Sequence, residues 1–326
     1  MKICIVKLSA MGDIIHAMVA LQFIKNEFPE AQIDWVVESG FKGILQNNPH
    51  IDNILPINLK SIKKKKSEIF FQYKILKTYS KNNYDIVIDA QGLLKSAIVS
   101  RIIGAKTVAG FDKDSIREGI ASIFYNKKVS IPYDANTIDR NATVICEPLG
   151  VEATSEMIIN KKSFLFSSSH VDNLPEIFNL FVIGSTWESR NYPKELFVEI
   201  AENLHVDTFI AWGSDEEHTK ALWMQEQSKY LHVLPLGSLN DLKYVISKCS
   251  LLIGNDTGPT HMAWGLNIPS ITIFGPTPTN RVYITPINKV VKSPTKINHY
   301  KLNKNDFSIC DIDSNKIIKI TKEIKI

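Results

Sequence analysis

The stretch MKICIVKLSAMGDIIHA, residues 1–17, decides the fold of this chain. It opens with an apolar run typical of a buried strand and leads into apolar residues at the spacing of a helix face. These two sets are Ile3, Ile5 and Val6, then Ile14, Ile15, Met18 and Leu21. Between them, Gly12 permits a tight turn, and Asp13 stands where a helix N-cap is expected. The stretch therefore predicts a strand, a turn and a helix, and Asp13 either caps that helix or carries chemistry.

The same alternation continues along both halves of the chain. Apolar runs predicted as strands cover residues 2–7, 33–37, 53–57, 86–89 and 107–109, and then 180–184, 208–212, 251–254 and 270–274. Amphipathic segments predicted as helices cover residues 14–27, 67–82, 95–103, 194–204, 216–229, 239–249 and 260–266, with a last helix at 314–326. Strands that alternate with helices indicate parallel sheets covered by helices, and here the pattern occurs twice.

A polar, serine-containing segment separates the two halves, NKKSFLFSSSHVDNLPE at residues 160–176. A chain of 326 residues also exceeds one ordinary hydrophobic core. We therefore predict two Rossmann-like domains, residues 1–165 and 170–312, with a ligand cleft at the carboxyl ends of their strands. The helix at 313–326 follows the second domain and has the length to cross back to the first.

The composition excludes several classes of protein. It is 44% hydrophobic and 22% charged, which is ordinary for a globular chain, and the net charge of +4 does not indicate a nucleic-acid partner. No apolar run reaches the roughly 18 residues that a membrane span requires, and the first apolar run is too short for a signal peptide. The four cysteines form no C-x-x-C pair, which favours a reducing compartment and no zinc site. We expect a cytoplasmic protein.

One segment departs from this average. KSIKKKK, residues 60–66, contains five lysines in seven residues. The segment is either a solvated loop or a contact for an anionic partner, such as nucleic acid, a phosphorylated substrate or a membrane surface.

Two loops of the second half have the character of phosphate sites. The buried strand at 251–254 ends in Gly254, and the following residues open a helix whose free N–H groups and dipole suit a diphosphate, with His261 in its first turn. The strand at 180–184 is followed by hydroxyls at Ser185 and Thr186 and then by Arg190, a combination that also suits phosphate. Acidic residues in AWGSDEEHTKA, residues 211–221, could bind a ribose diol.

Several familiar signatures are missing from the sequence. It contains no P-loop, no G-x-G-x-x-G and no G-x-S-x-G. D-x-D triplets occur at 112–114 and 311–313, but neither follows a clear strand of the second domain, so we predict no metal site.

Four stretches together resemble the ADP-heptose:lipopolysaccharide heptosyltransferases. They are VKLSAMGDIIHAMVAL, GFDKDSIRE, SRNYPKE and GNDTGPTHMAWGLNIPSITIFGPT, and the resemblance runs from Met1 to about Thr277. GFDKDSIRE favours the members that add the first heptose of the inner core. The resemblance implies an α/β protein of the GT-B fold, with two Rossmann-like domains facing a cleft and a C-terminal helix crossing back to the N-terminal domain.

The resemblance also implies the reaction. An inverting, metal-independent transfer would move heptose from ADP-L-glycero-D-manno-heptose to the Kdo of Kdo2-lipid A, without a cofactor, at the cytoplasmic face of the inner membrane. The alternatives are a transferase for a later heptose, a related nucleotide-sugar transferase, and a two-lobed sugar-binding protein. The lack of an export signal counts against the last.

Roles for individual residues follow from the same resemblance. Asp13 is the general base, and Arg190 stabilises the departing diphosphate. The donor-binding residues are Ser185, Thr186, Arg190, Glu217, Asp256, Thr257, Gly258 and His261. The acceptor-binding residues are Lys63, Lys64, Lys65, Lys66, Arg117 and Glu118. Arg190 departs from the lysine of the best-known members, and the neighbouring Glu216 leaves the ribose-binding position open by one residue.

Overall fold

A computed structural model of the chain describes residues 1–298 and 302–324. The chain divides into two compact units, Met1–Phe164 and Leu165–Ile326. Each described unit contains one six-stranded parallel sheet with helices packed on it. The predicted α/β class and the doubled Rossmann-like architecture are therefore confirmed.

The sheet of the first unit has the strand order β3-β2-β1-β4-β5-β6. Its strands are β1 (Lys2–Val6), β2 (Gln32–Glu38), β3 (Asn53–Ile57), β4 (Ile86–Asp89), β5 (Thr107–Phe111) and β6 (Lys127–Val129). Ile5 of the central strand β1 pairs with Trp35 on one side and with Ile88 on the other. Because β1 is covered on both faces, four of its five residues are buried, as is typical of a parallel sheet.

Helices of the first unit cover both faces of its sheet. They are α1 (Met11–Met18), α2 (Ala20–Glu27), α3 (Lys42–Leu45), α4 (Leu59–Lys64), α5 (Glu68–Tyr79), α6 (Leu94–Ile103), α7 (Thr137–Cys146) and α8 (Ser155–Ile159). Helices α1, α2 and α7 contact one another on one face, whereas α5, α6 and the 3₁₀ helix Gly119–Phe124 cover the other. Right-handed connections produce this division, because the chain crosses the sheet in opposite directions after β1 and after β3.

The sheet of the second unit has the order β12-β11-β10-β7-β8-β9. Its strands are β7 (Asn179–Val182), β8 (Thr208–Ala211), β9 (Leu231–Val233), β10 (Leu251–Asn255), β11 (Ser270–Phe274) and β12 (Asn288–Lys292). Its helices are α9 (Lys194–Leu204), α10 (Asp215–Gln227), α11 (Leu239–Lys248), α12 (Gly258–Leu266) and α13 (Ser314–Glu323). Every residue of β10 and β11 is buried, so these strands and their carboxyl ends lie at the centre of the unit.

All nine predicted strands are present, and the three that were missed share one property. Strands β6, β9 and β12 each lie at an edge of a sheet. Their sequences are KKV, LHV and NKVVK, so charged or polar residues interrupt the apolar run. Edge strands commonly carry such residues, which prevent pairing with another chain and weaken the sequence signal.

The C-terminal helix packs on the core of the second unit. Helix α13 contacts α9, and its buried residues Ile317 and Ile318 join the core of the second unit together with Ile309 and Ile312. The apolar stripe of α13 is thus buried against the second unit, and the crossing back to the N-terminal domain that the resemblance implies stays a prediction. Residues 325 and 326 of the predicted helix lie outside the described residues.

Candidate active site

The predicted functional residues of the first unit follow the carboxyl ends of its parallel strands. Asp13 follows β1, the lysine run follows β3, and Arg117 and Glu118 follow β5. Because all these strands run parallel, their carboxyl ends meet at one edge of the sheet. The sheet topology therefore places these residues at the same edge, where open α/β sheets bind ligands.

Asp13 belongs to the first turn of α1. It is the third residue of the helix, whose N-cap is Ala10, so the expectation of Asp13 as the N-cap itself is corrected by three positions. Its Oδ2 accepts a hydrogen bond from the backbone N–H of Ala10 at 3.4 Å. A carboxylate in a first helical turn is favoured by the helix dipole. Asp13 remains only half-buried, so its carboxylate supports the helix while the residue stays partly accessible.

Lys7, the residue that follows β1, lies buried beneath this turn. Its side chain is 5% exposed, and its Nζ donates a hydrogen bond to the carbonyl oxygen of Ala90 at 2.8 Å. Burial lowers the pKa of Lys7 below its ordinary value, while the nearby carboxylates of Asp13 and Asp89 oppose that shift. Lys7 therefore places a buried cation within the electrostatic reach of Asp13.

Gln91 holds the turn that leads to Asp13. Its Oε1 accepts hydrogen bonds from the backbone N–H groups of Leu8 and Ser9, at 3.1 and 3.0 Å. The backbone of Gln91 is fixed in turn by Asp89, whose Oδ1 accepts the Gln91 N–H at 2.8 Å. The sequence analysis missed Gln91, although a polar residue directly after a buried strand is a usable signal.

The six predicted acceptor-binding residues fall into two groups, one carboxylate that is hydrogen-bonded to the backbone and five exposed cations. The Glu118 carboxylate accepts a hydrogen bond from the backbone N–H of Leu94 at 2.8 Å, and so it supports the first turn of α6. Arg117 is exposed, as are all four lysines of the run at 63–66, which end α4 and precede α5. The five cationic side chains among the predicted acceptor-binding residues are therefore all exposed.

Asp256 is the centre of the site in the second unit. It follows β10, is 1% exposed, and engages both of its carboxylate oxygens. Oδ2 accepts hydrogen bonds from Arg190 Nη2 at 2.9 Å and Thr277 Oγ1 at 2.8 Å, and Oδ1 lies 3.2 Å from His261 Nε2. Burial alone would raise the pKa of Asp256, but the His261 hydrogen bond and the charges of Arg190 and Arg281 outweigh it and hold the pKa well below its ordinary value. Asp256 is therefore an anion that organises three other side chains.

Arg190 is a largely buried cation in this cluster. Its side chain is 12% exposed and lies over the ring of Trp187, 5.4 Å from the ring centroid. Burial lowers its pKa, with the Asp256 carboxylate opposing, and arginine remains charged at neutral pH. Its Nε is buried without a hydrogen-bond partner among the described residues. A buried N–H without a partner is costly, so the guanidinium retains a hydrogen-bond donor that its contacts within the described residues do not use.

The N-terminus of α12 lies next to Asp256. Thr257 is the N-cap of this helix and Gly258 its first residue, as the anion-binding interpretation requires. Gly254 allows the close approach of α12, because a Cβ at this position would lie 2.7 Å from both Thr260 Oγ1 and Val182 Cβ. The free N–H groups of the first turn suit an anion here, in agreement with the predicted diphosphate site.

The loop after β7 is held by a residue that the sequence analysis missed. The Asn255 side chain accepts a hydrogen bond from the backbone N–H of Tyr192 at 3.0 Å and donates one to the carbonyl of Ile183 at 2.7 Å. The Ser185 hydroxyl donates a hydrogen bond to the carbonyl oxygen of Trp187 at 2.9 Å, within the same loop, whereas Thr186 is exposed. Of the two predicted hydroxyls, Thr186 is therefore the one presented at the surface.

The two neighbouring glutamates of α10 point in different directions. Glu216 forms an exposed ion pair with Lys220 at 2.9 Å. Glu217 instead accepts the backbone N–H of Gly213 at 2.7 Å, and its carboxylate lies directly against Gly184 at the end of β7. Glu217, rather than Glu216, therefore lies at the carboxyl edge of the sheet.

Among the described residues, no group of three or more His, Cys, Asp or Glu side chains is arranged to hold a metal ion. None of the helices within residues 1–298 and 302–324 is both long and apolar enough to cross a lipid bilayer.

Comparison with known proteins agrees with this architecture. The chain is 37% identical over 344 residues to lipopolysaccharide heptosyltransferase 1 of Campylobacter coli, covering 99% of both chains. It is 30% identical over 287 residues to lipopolysaccharide heptosyltransferase 1 of Escherichia coli K12, covering 85% of this chain and 88% of the other. The solved structure of E. coli heptosyltransferase WaaC with ADP-2-deoxy-2-fluoro heptose superposes with a TM-score of 0.82, at 25% identity and 99% coverage of each chain.

Two Rossmann-like units of this kind make up the GT-B fold, an architecture that the chain shares with the WaaC structure. The model of glycosyltransferase family 9 (heptosyltransferase) matches residues 72–307. The chain belongs to this family, so the resemblance seen in the sequence is confirmed and the protein is an enzyme. The alternative of a two-lobed sugar-binding protein is thereby set aside.

The contact between Gly184 and Glu217 predicts that substitutions at these two positions have coupled effects on the free energy of unfolding. Replacing Gly184 with alanine should lower the free energy of unfolding by about 1 kcal/mol, because the new Cβ displaces the Glu217 carboxylate from the Gly213 N–H. In a Glu217→Ala background the same replacement should be nearly neutral, because the three atoms nearest to the new Cβ all belong to Glu217. Denaturant unfolding of the four proteins measures this coupling, and an equal loss in both backgrounds would contradict the contact.

Proposed function

We propose that this enzyme transfers L-glycero-D-manno-heptose from ADP-L-glycero-D-manno-heptose to the Kdo of Kdo2-lipid A, in the synthesis of the lipopolysaccharide inner core. The observation that carries the proposal is the 37% identity to a lipopolysaccharide heptosyltransferase 1 along 99% of the chain. The WaaC structure, which holds an ADP-heptose analogue, supports the same donor.

The second unit is the donor-binding unit in this proposal. The diphosphate would lie at the N-terminus of α12, at Thr257 and Gly258, with the buried Arg190 beside it. Thr186 would add a hydroxyl to the same group. Glu217, at the edge of the sheet after β8, would accept hydrogen bonds from the ribose diol. Asp256 would hold Arg190 and His261 in place, in addition to the contact with the heptose that the family resemblance implies.

The first unit supplies the base. The hydroxyl oxygen of Kdo attacks the anomeric carbon of the heptose while the bond from that carbon to the oxygen of the ADP diphosphate breaks. The proton of the hydroxyl passes to the Asp13 carboxylate, and the electron pair leaves with ADP. Attack from the face opposite ADP inverts the anomeric centre. The half-buried carboxylate of Asp13, on a turn held by Gln91, supports this role.

Charge on the departing diphosphate needs stabilisation, and we propose that protein groups supply it without a metal. Arg190 contributes a cation in a largely buried setting, where electrostatic interactions are stronger than in water. The N–H groups of the first turn of α12 add partial positive charge.

A chelator tests the metal-independent transfer. Turnover is expected to be the same in excess EDTA and in added Mg²⁺, because Arg190 and the N-terminus of α12 neutralise the leaving group. The measurement is ADP release under both conditions. A loss in EDTA that Mg²⁺ restores would show that a divalent cation is required.

The lysine run supplies the second prediction. We propose that Lys63, Lys64, Lys65 and Lys66, with Arg117 and Glu118, bind the acidic acceptor, whose Kdo carboxylates and lipid A phosphates are anionic. Replacing the four lysines with alanine should raise the acceptor KM about tenfold or more and leave the donor KM nearly unchanged. Lys316, Lys319 and Lys322 on α13 form a matched control for loss of surface charge, and their alanine variant should keep both values. Equal changes in both KM values would contradict an acceptor role.

The location of the proposed acceptor determines where the enzyme would work. We propose that the enzyme works at the cytoplasmic face of the inner membrane as a peripheral protein, because its acceptor is a lipid embedded there. Nucleic acid has no part in this function.

The direct test of the substrates is ADP release from ADP-heptose with three acceptors. Kdo2-lipid A should support release, whereas an acceptor that already carries the first heptose should not, and omission of the acceptor should abolish release. Release only with the heptosylated acceptor would move the assignment to a later heptose. Release without any acceptor would indicate hydrolysis and contradict the transfer.

A further inference from the structure

Helix α5 exposes an unusual row of large apolar side chains. Phe70 is 72% exposed, Phe71 58%, Ile69 52% and Tyr73 47%. The inner side of the helix is formed by the buried Gln72 and Leu76, and Phe70 lies about 200° around the axis from Gln72. Phe70 therefore points away from the buried side of the helix, with Phe71 and Tyr73 on either side of it, and exposed clusters of this kind mark interaction surfaces.

The neighbouring elements extend the row across the same face of the sheet. Helix α6 packs beside α5 and exposes Leu94 and Ile98. The 3₁₀ helix Gly119–Phe124 packs beside α6 and exposes Ile120 and Ile123, the latter at 68%. Eight of the ten large apolar side chains that are exposed among the described residues of the first unit lie on these three elements, which we call the α5–α6 face.

The segment that runs from α4 through α5 and adjoins this face is strongly basic. Residues 59–79 contain seven lysines and one glutamate, an excess of six positive charges, whereas the whole chain carries +4. Lys74 and Lys77 follow Phe70 and Tyr73 along one stripe of α5, at the helical spacing of three, four and seven residues. The outer stripe of α5 is thus apolar and cationic at once.

The combination of exposed apolar side chains and lysines distinguishes a protein partner from a lipid bilayer. The buried part of a protein–protein interface is depleted of lysine, so seven lysines beside four exposed apolar residues do not favour a protein partner. An anionic bilayer attracts lysines through its surface charge and accepts aromatic and aliphatic side chains at its interface. The charge of the lysines and the exposure of the apolar side chains therefore both favour an anionic bilayer as the partner.

We infer that the α5–α6 face is a membrane-docking surface, which lies on a bilayer of anionic phospholipid with Phe70 and Phe71 inserted among the lipids. The inference rests on the proposed function in one respect, since it gives the enzyme a reason to meet a bilayer. Lysines would draw the first unit to the surface, and the phenylalanines would add apolar contact that salt does not weaken. The lysine run at 63–66 follows the carboxyl edge of the sheet and adjoins α5, so docking brings the acceptor-side residues near the lipid.

Vesicle flotation tests the surface without any acceptor present. The probe is a phosphatidylcholine vesicle containing about one third phosphatidylglycerol and no lipid A. The full chain should float with these vesicles, and less so in high salt or with phosphatidylcholine alone. Phe70→Ser/Phe71→Ser should weaken the partition at least about tenfold, because two apolar side chains no longer leave water. Its melting temperature should match that of the parent, since both side chains are exposed.

The matched control is Ile159→Ser/Ile177→Ser, which removes two exposed apolar side chains outside the α5–α6 face and should leave flotation unchanged. Equal flotation of the Phe70→Ser/Phe71→Ser variant and the parent would overturn the inference. Binding that appears only when Kdo2-lipid A is added would also overturn it, since the surface would then serve the acceptor rather than the bilayer. Turnover on a deacylated acceptor in solution tests the proposed function separately, and the Phe70→Ser/Phe71→Ser variant should retain it.

Discussion

Each unit is organised around an aspartate buried at the carboxyl end of a central strand. A buried carboxylate is costly unless it is paired or hydrogen-bonded, so it draws donors from several loops to one point. In the first unit Asp89 accepts hydrogen bonds from two backbone N–H groups and from the Tyr125 hydroxyl. In the second unit Asp256 collects Arg190, Thr277 and His261. The loops that bear the functional groups depend on these two aspartates.

The two aspartates serve their units differently. Asp89 acts indirectly. It accepts a hydrogen bond from the backbone N–H of Gln91, and the Gln91 side chain in turn holds the backbone of the turn before Asp13. Asp256 acts directly on Arg190, the cation that we propose binds the diphosphate of the donor. A preorganised site of this kind needs little rearrangement as charge develops during transfer. The proposed base and the proposed partner of the leaving group are thus held by separate hydrogen-bond networks, one in each unit.

Most of the fold could be predicted from the sequence, because strands such as β10 and β11 are unbroken apolar runs and the long helices are amphipathic. The edge strands could not, since lysines and polar residues interrupt β6 and β12. The donor site was predicted at Arg190, Asp256 and His261, but the bonds that join them were not. Thr277 and Arg190 lie 21 and 66 residues from Asp256, and Gln91 lies 83 residues from Leu8. Such contacts depend on strand order, which local patterns do not encode.

We propose that the first unit supplies the base and the second binds the donor. The most direct test is to measure turnover and ADP affinity for Asp13→Ala and Asp256→Asn in parallel. Asp13→Ala should lower kcat by about 10²–10⁴ and leave the dissociation constant of ADP within about twofold, because the base does not touch the leaving group. Asp256→Asn should weaken ADP binding about tenfold or more, because Arg190 loses the charged partner that positions it. Near-normal turnover of Asp13→Ala, or equal loss of ADP affinity in both variants, would contradict the account.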